Sequence, residues 1–227
     1  MSLDTYWDKV HLQYDSTYDG WLDHYLGLFH KEDKIVELGC GRAYDSRYLL
    51  EKGFTDITVC DFSKEVLEII KKEVPNLKTL NFDMKDEIPF QDNSINVIIA
   101  DLSIHYFDTN TTIFLANEIY RVLKKNGIFI ARVNSTNDKL YIPNTNQLEE
   151  NYFYNGEIYK RFFSEDSIKS FFNKFSFYSI EEKDAGKYEK PKVLWEFCVI
   201  KKWVISLILF FPLNLDMSLL VSLNYPL

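Results

Sequence analysis

Short apolar runs alternate with stretches of helical periodicity between residues 34 and 133 of this chain. Ile35, Val36 and Leu38 make the first run; 57–60, 78–82, 95–100 and 128–133 make four more, and runs of this kind predict strands. Between them, 46–52 (with Asp45 as N-cap), 64–74 and 112–125 predict helices. The last carries Phe114, Leu115, Ile119, Val122 and Leu123 at helical spacing and is stopped by Asn126 and Gly127. Upstream, Trp7, Val10 and Tyr14, then Trp21, Leu22, Tyr25, Leu26 and Phe29, predict two amphipathic helices hinged around 16–20. Periodicity fails across 134–163, which reads as a long connection with a short hairpin. A helix opening at Ser164 follows, then strands over 175–180 and 193–200. Strands and helices in alternation predict a layered α/β fold, doubly wound around a mostly parallel sheet.

The 227 residues suit one domain, which we draw as 1–202, with the 1–30 helices as a candidate lid and 134–163 as a substrate-side insertion. Residues 203–227 form an apolar extension broken by Pro212, Asn214 and Asp216; it is too short to span a bilayer and is expected to dock on the domain or on a second copy as a homodimer, with an interfacial anchor as the alternative. A net charge of -8 excludes a nonspecific nucleic-acid binder, because phosphate requires clustered Lys and Arg. Cys40, Cys60 and Cys198 lack metal spacing and read as small buried residues, and no metal is expected. The opening MSLDTYWDKV has no apolar signal region, so the expected location is cytoplasmic.

The chemistry concentrates in KIVELGCGRAYD, residues 34–45, where a strand ends in an acid and a turn with Gly39 and Gly41. Glycines there admit positive φ and let a ligand approach the main chain. Two glycines after a strand can also be a plain turn. The next three runs, however, end at Asp61, Asp83 (with Met84) and Asp101, which places an ordered set of acids at one sheet edge.

This series, with YRVLKKNGIFIARVNS downstream, resembles the class I S-adenosylmethionine-dependent methyltransferases over 34–133. The resemblance implies a Rossmann-like seven-stranded sheet with an antiparallel last strand, and S-adenosylmethionine as cofactor. By the same resemblance, Glu37, Gly39, Cys40 and Gly41 hold the methionine part, Asp61 binds the ribose with Phe62 next to it, Asp83 and Met84 flank the adenine, and Asp101 and Leu102 close the site. Ala43 stands where the family often has a third glycine, and a modest adjustment of the turn is expected. A dinucleotide domain is the rival, but Tyr44 occupies its third small position and it gives Asp83 no role.

Methyl transfer from a sulfonium is an in-line displacement that demands alignment more than any one side chain. If the acceptor must lose a proton, His105 in DLSIHYF is the candidate base, with packing as its other reading and Tyr106 as a weaker candidate. Tyr6, Trp7 and Tyr14 are candidates for the lid, and Tyr141, Tyr152, Phe153, Tyr154, Tyr159, Lys160 and Arg161 for acceptor contacts in the long connection, with packing as the other reading for some of them. A small-molecule acceptor is the first reading. YWDKVHLQYDSTYDGWL also looks like the start of some protein-lysine methyltransferases, and a regulator that binds cofactor without turnover is a third reading.

Overall fold

A computed structural model describes residues 6–7, 9–10, 17–138, 146–185 and 192–202. Its frame is a seven-stranded sheet of β1 (Ile35–Leu38), β2 (Ile57–Asp61), β3 (Lys78–Asn81), β4 (Ile95–Asp101), β5 (Leu123–Asn134), β9 (Ser176–Ala185) and β10 (Lys192–Ile200), in the order β3-β2-β1-β4-β5-β10-β9. The first five run parallel. β10 runs against both β5 and β9, so it is the single reversed strand, as the resemblance implied.

Parallel strands are covered on both faces, and here alternate residues supply two separate cores. Val36, Leu38, Ile98, Ala100, Phe129 and Ala131 pack with α3 (Thr109–Val122) and α4 (Glu165–Phe171). Ile35, Ile57, Val59, Val97, Ile99, Ile128 and Ile130 pack on the other face with α1 (Tyr44–Glu51), α2 (Lys64–Glu73) and the segment around Trp21 and Tyr25. Period two then fixes where the polar residues go. Glu37, Asp61, Asp101 and Arg132 continue the second series, so all four stand on one face toward the strand ends.

The prediction of a helix across Trp21, Leu22, Tyr25, Leu26 and Phe29 is corrected to a short 3-10 helix, Asp23–Leu28, whose N-terminus has no side-chain cap and whose interior contains Gly27, a weak helix former. α1 begins at Tyr44 rather than Ser46, and Asp45 is not its cap: Ala43 holds that position in the left-handed region, φ 56. α3 ends at Val122, because Leu123 already pairs with Ile95 of β4. β9 runs on through the charged residues 181–185 by pairing with β10; charges suit an edge strand, where they discourage pairing with another chain.

The long connection folds as a three-stranded antiparallel sheet, β6 (Gln147–Glu149), β7 (Tyr152–Tyr154) and β8 (Tyr159–Arg161). Tyr14, Tyr141 and the whole 203–227 extension, with its expected docking or dimer role, lie outside the described residues. Among those described, no helix is long and apolar enough to cross a membrane.

Candidate functional site

All ten positions the resemblance assigned to the cofactor line one cavity of about 1020 Å³ at the carboxyl ends of β1, β2 and β4. Its centre is the turn after β1. Gly39 and Gly41 have φ of 63° and 48°, the left-handed region that side chains avoid. A Cβ at Gly39 would overlap Ser103 Cβ and stand 3.1 Å from Met84 Cε. Ser103 is held there by donating its hydroxyl to the Leu38 carbonyl at 2.6 Å. Leu102, just before it, is itself left-handed at φ 53, a strained conformation of the kind that gathers at ligand sites.

Asp61 fixes the other side of the turn. Its Oδ2 accepts the Gly41 N–H at 3.0 Å and its Oδ1 accepts the Ser63 N–H at 2.9 Å. Asn81 donates its amide to the Asp61 and Phe62 carbonyls at 2.9 and 2.8 Å and so sets the loop that carries Phe62. Sequence reading passed over Asn81, since an Asn at a strand end resembles any turn residue. Asp83 and Met84 lie on the same wall, with Asp83 accepting the Lys85 N–H at 3.0 Å.

Three acids converge beneath the turn. Glu37 is buried and its Oε2 accepts both the hydroxyl and the N–H of Ser46, so the strand caps the start of α1. Asp45 accepts the Trp21 indole N–H at 2.9 Å. Burial first, then the charges of Asp45 and Asp101, push the Glu37 carboxyl well above the usual carboxylate range, against the lowering by Ser46. Burial, with Asp61 and Glu37 beside it, likewise raises the Cys40 thiol, so this cysteine acts through size and backbone and not as a thiolate.

Asp101 is held by a partner the sequence did not suggest. Arg132, its register partner on β5, donates Nε and Nη2 to the two Asp101 oxygens at 2.7 Å each, donates Nη1 to Asp19 at 2.7 Å, and lies over the Trp21 ring at 4.5 Å.

His105 is corrected. Its ring is buried and does not line the cavity, and Nδ1 has no hydrogen-bond partner among the described residues. Burial, with Lys192 and Lys160 nearby, holds it neutral, well below the usual imidazole range. Three residues past the left-handed Leu102 the ring is buried away from the cavity, and Tyr106 lines the cavity instead. Arg161 is also off the wall: it donates to Glu149 at 2.7 Å, Thr109 Oγ1 at 3.0 Å and the Phe107 carbonyl at 3.1 Å, and so braces β6 and the start of α3 behind the cavity. Trp7 does line the cavity, packing edge-on to Tyr106 at 4.9 Å, with Tyr6 edge-on to Trp7 at 5.3 Å. Tyr152 and Tyr159, from the inserted sheet, complete an aromatic far wall.

The arrangement fits a cationic nucleoside cofactor. The glycine cradle leaves room where a Cβ would intrude, the crowded acids favour a positive group, and Met84 offers an apolar face beside a carboxylate. Sites for one small ligand run to roughly 300–1,000 Å³, so this cavity stands at the upper end of that range. Among the described residues no cluster of His, Cys, Asp and Glu is arranged to hold a metal ion.

A family model described as a methyltransferase domain matches residues 36–131. The chain is similar to the protein named "Putative methyltransferase YqeM" of Bacillus subtilis, 31% identical over 123 residues, which are 52% of this chain and 49% of that protein. It is also similar to the mitochondrial arginine-hydroxylase NDUFAF5 of Homo sapiens, 27% identical over 96 residues, 42% of this chain and 27% of that protein. The chain therefore spans half or less of the length of these curated relatives. A solved structure described as a SAM-dependent methyltransferase from Methanosarcina mazei superposes with a TM-score of 0.71 at 17% identity, covering 82% of this chain and 99% of that one; at that identity the likeness shows the fold.

Proposed function

We propose that the chain is a class I S-adenosylmethionine-dependent methyltransferase and that it transfers a methyl group from S-adenosylmethionine to a small-molecule acceptor. One observation carries the reading: the glycine turn held by Asp61 and the acids Glu37, Asp45 and Asp101 line a single cavity of about 1020 Å³ together with Trp7, Tyr106, Tyr152 and Tyr159. When bound, S-adenosylmethionine supplies a methyl group already activated on a positively charged sulfur. The chain's own part is to bind, orient and exclude water. Glu37 and its acidic neighbours favour the cationic methionyl end. Asp61, held in place by the Gly41 and Ser63 N–H groups, lines the cavity as the acceptor of the ribose hydroxyls. Phe62 and Met84 give the base apolar faces and Asp83 gives it a polar edge. Trp7, Tyr106, Tyr152 and Tyr159 dry the acceptor side, where alignment alone is worth on the order of 7–11 kcal/mol at best. Residues 146–163 form the acceptor side of this domain, and a cavity with aromatic lining of this kind suits a small molecule better than a protein side chain presented on a surface.

Calorimetry with S-adenosylmethionine and S-adenosylhomocysteine on the wild type and on Asp61→Ala tests the donor site. The expected loss is about 1–3 kcal/mol, from unmade ribose bonds and a loosened turn. Equal affinity in the two proteins would refute the assignment. Because one relative is a hydroxylase, turnover needs its own measurement: label from methyl-labelled donor is expected in metabolite fractions, label in protein fractions would replace the small-molecule acceptor by a protein one, and donor binding without label anywhere would leave a regulator.

Glu37 gives a pH signature. A carboxyl raised in the folded protein stabilises it while protonated and loses that contribution as pH rises from the ordinary glutamate value through the raised one. The α-ammonium of the ligand reverses the penalty, so affinity for S-adenosylhomocysteine should rise with pH across that window, with protons released on binding. Calorimetry in buffers of different ionisation heat reads that release directly. In Glu37→Gln it should vanish; release of the same size in the variant would assign the proton to another group.

A further inference from the structure

The cavity has a charged wall that donor binding leaves unused. Lys192 opens β10 and lines the cavity. Because β10 runs against β5, its first residues lie at the edge where the parallel strands end: Leu194 pairs with Asn134, the last residue of β5, and Lys192 stands two residues further out. The charged groups that face it are Lys160 of β8, Asp101 of β4, and Arg132 and Asp138 at the end of β5 and just beyond, while His105 lies close to both lysines. Much of this charge is already committed. Arg132 is bound to Asp101 and Asp19, and Asp138 accepts the Val193 N–H at 2.7 Å.

Lys192, with Lys160 close to it, lines the same cavity as Trp7, Tyr106, Tyr152 and Tyr159. A cation in a cavity lined by aromatic residues recognises a molecule with a flat apolar body and one negative group. We propose that Lys192 selects the acceptor by its charge, and that the acceptor is a small aromatic carboxylate whose carboxylate meets the Lys192 ammonium while its ring lies against the tyrosines. This rests on the methyl-transfer reading and adds the acceptor's class to it.

Burial, and secondarily Lys160, lowers the Lys192 ammonium to about 8, with Asp101 and Asp138 opposing and Arg132 reinforcing the shift. At pH 7 the side chain is then still roughly nine-tenths protonated. An anion favours the charged form, so recognition should persist at neutral pH and fade as pH rises through 8.

The test uses the full chain saturated with S-adenosylhomocysteine, titrated with naphthoate and with its uncharged isostere naphthamide. Naphthoate is expected to bind at least tenfold tighter at pH 7, with the preference shrinking about tenfold per pH unit above 8. Lys192→Gln should remove the preference, Lys192→Arg should keep most of it at every pH, and both variants should hold S-adenosylhomocysteine within twofold of wild type. Equal binding of the two probes, binding of neither, or a preference that survives in Lys192→Gln overturns the proposal. So does a parallel loss of S-adenosylhomocysteine affinity in Lys192→Gln, which would put the lysine on the donor's own carboxylate. Failure of the wild type to bind S-adenosylhomocysteine would instead bring down the donor site on which the proposal rests.

Discussion

Replacing Gly39 with alanine is expected to destabilise the protein by about 2–5 kcal/mol and to abolish measurable binding of S-adenosylhomocysteine. Two costs add. A non-glycine residue at φ 63 carries a left-handed penalty of roughly 1–2 kcal/mol. The added methyl would also overlap Ser103 Cβ and press on Met84 Cε at 3.1 Å, and overpacking of this kind costs about 1–3 kcal/mol. Ser103 cannot move aside cheaply, because its hydroxyl is tied to the Leu38 carbonyl at the end of β1. Met84 could, but only into the cavity that the cofactor is to fill. Urea denaturation would show the midpoint falling at unchanged slope, and calorimetry the lost binding. Ala43 is the internal control, since it already holds a Cβ in the left-handed region; Ala43→Gly should bind the cofactor as the wild type does. An alanine at 39 that left both stability and binding intact would mean that the turn is no cradle.

The same turn shows why the residues of this side of the cavity could be grouped from the sequence. Glycines and strand-end acids are local signals: an apolar run fixes a strand, the strand's last residue falls at the sheet edge, and parallel strands bring successive edges together. Glu37, Asp61, Asp83 and Asp101 could therefore be placed without knowing any contact. What failed depended on contacts distant in sequence or on a single backbone angle. Arg132 reads as one charge in a buried strand until β5 is set beside β4, and Asp19 reaches it from more than a hundred residues away. His105 was a reasonable base by position, but the left-handed Leu102 redirects the turn and gives the cavity to Tyr106. Asp45 looked like a cap because its type and place suit one; the cap is Glu37, reaching from the strand, while Asp45 takes the Trp21 indole. Lys192 carried no signal at all, because the importance of a lysine at the start of a strand depends on that strand being reversed. The acceptor side is built from such reversals and from an insertion whose short strands lack periodicity, so the sequence offered its aromatic and basic residues only as candidates, and the fold showed that Tyr152 and Tyr159 line the cavity.

Arg132→Met is expected to be the second severe substitution, at about 3–5 kcal/mol, although the new side chain fills similar volume. The guanidinium is buried against Trp21 and makes three charge-assisted bonds at 2.7 Å, two to Asp101 and one to Asp19. Removing one member of a buried ion network is costly chiefly because the partners stay behind, charged and out of water. Here the stranded Asp101 would also sit near Glu37, whose carboxyl already feels it as a like charge. The origin of the loss can be separated from simple repacking by a double variant. If the deficit comes from stranded carboxylates, Arg132→Met combined with Asp101→Asn should recover more than 1 kcal/mol of what the single variant loses, a coupling of the size found for contacting charged residues. Additive losses in the cycle would instead locate the effect in packing on Trp21. Donor affinity adds a second readout, because Asp101 lines the cavity: a carboxylate released from Arg132 is less well placed for the ligand's α-ammonium, so S-adenosylhomocysteine should bind more weakly to the single variant even at temperatures where it remains fully folded.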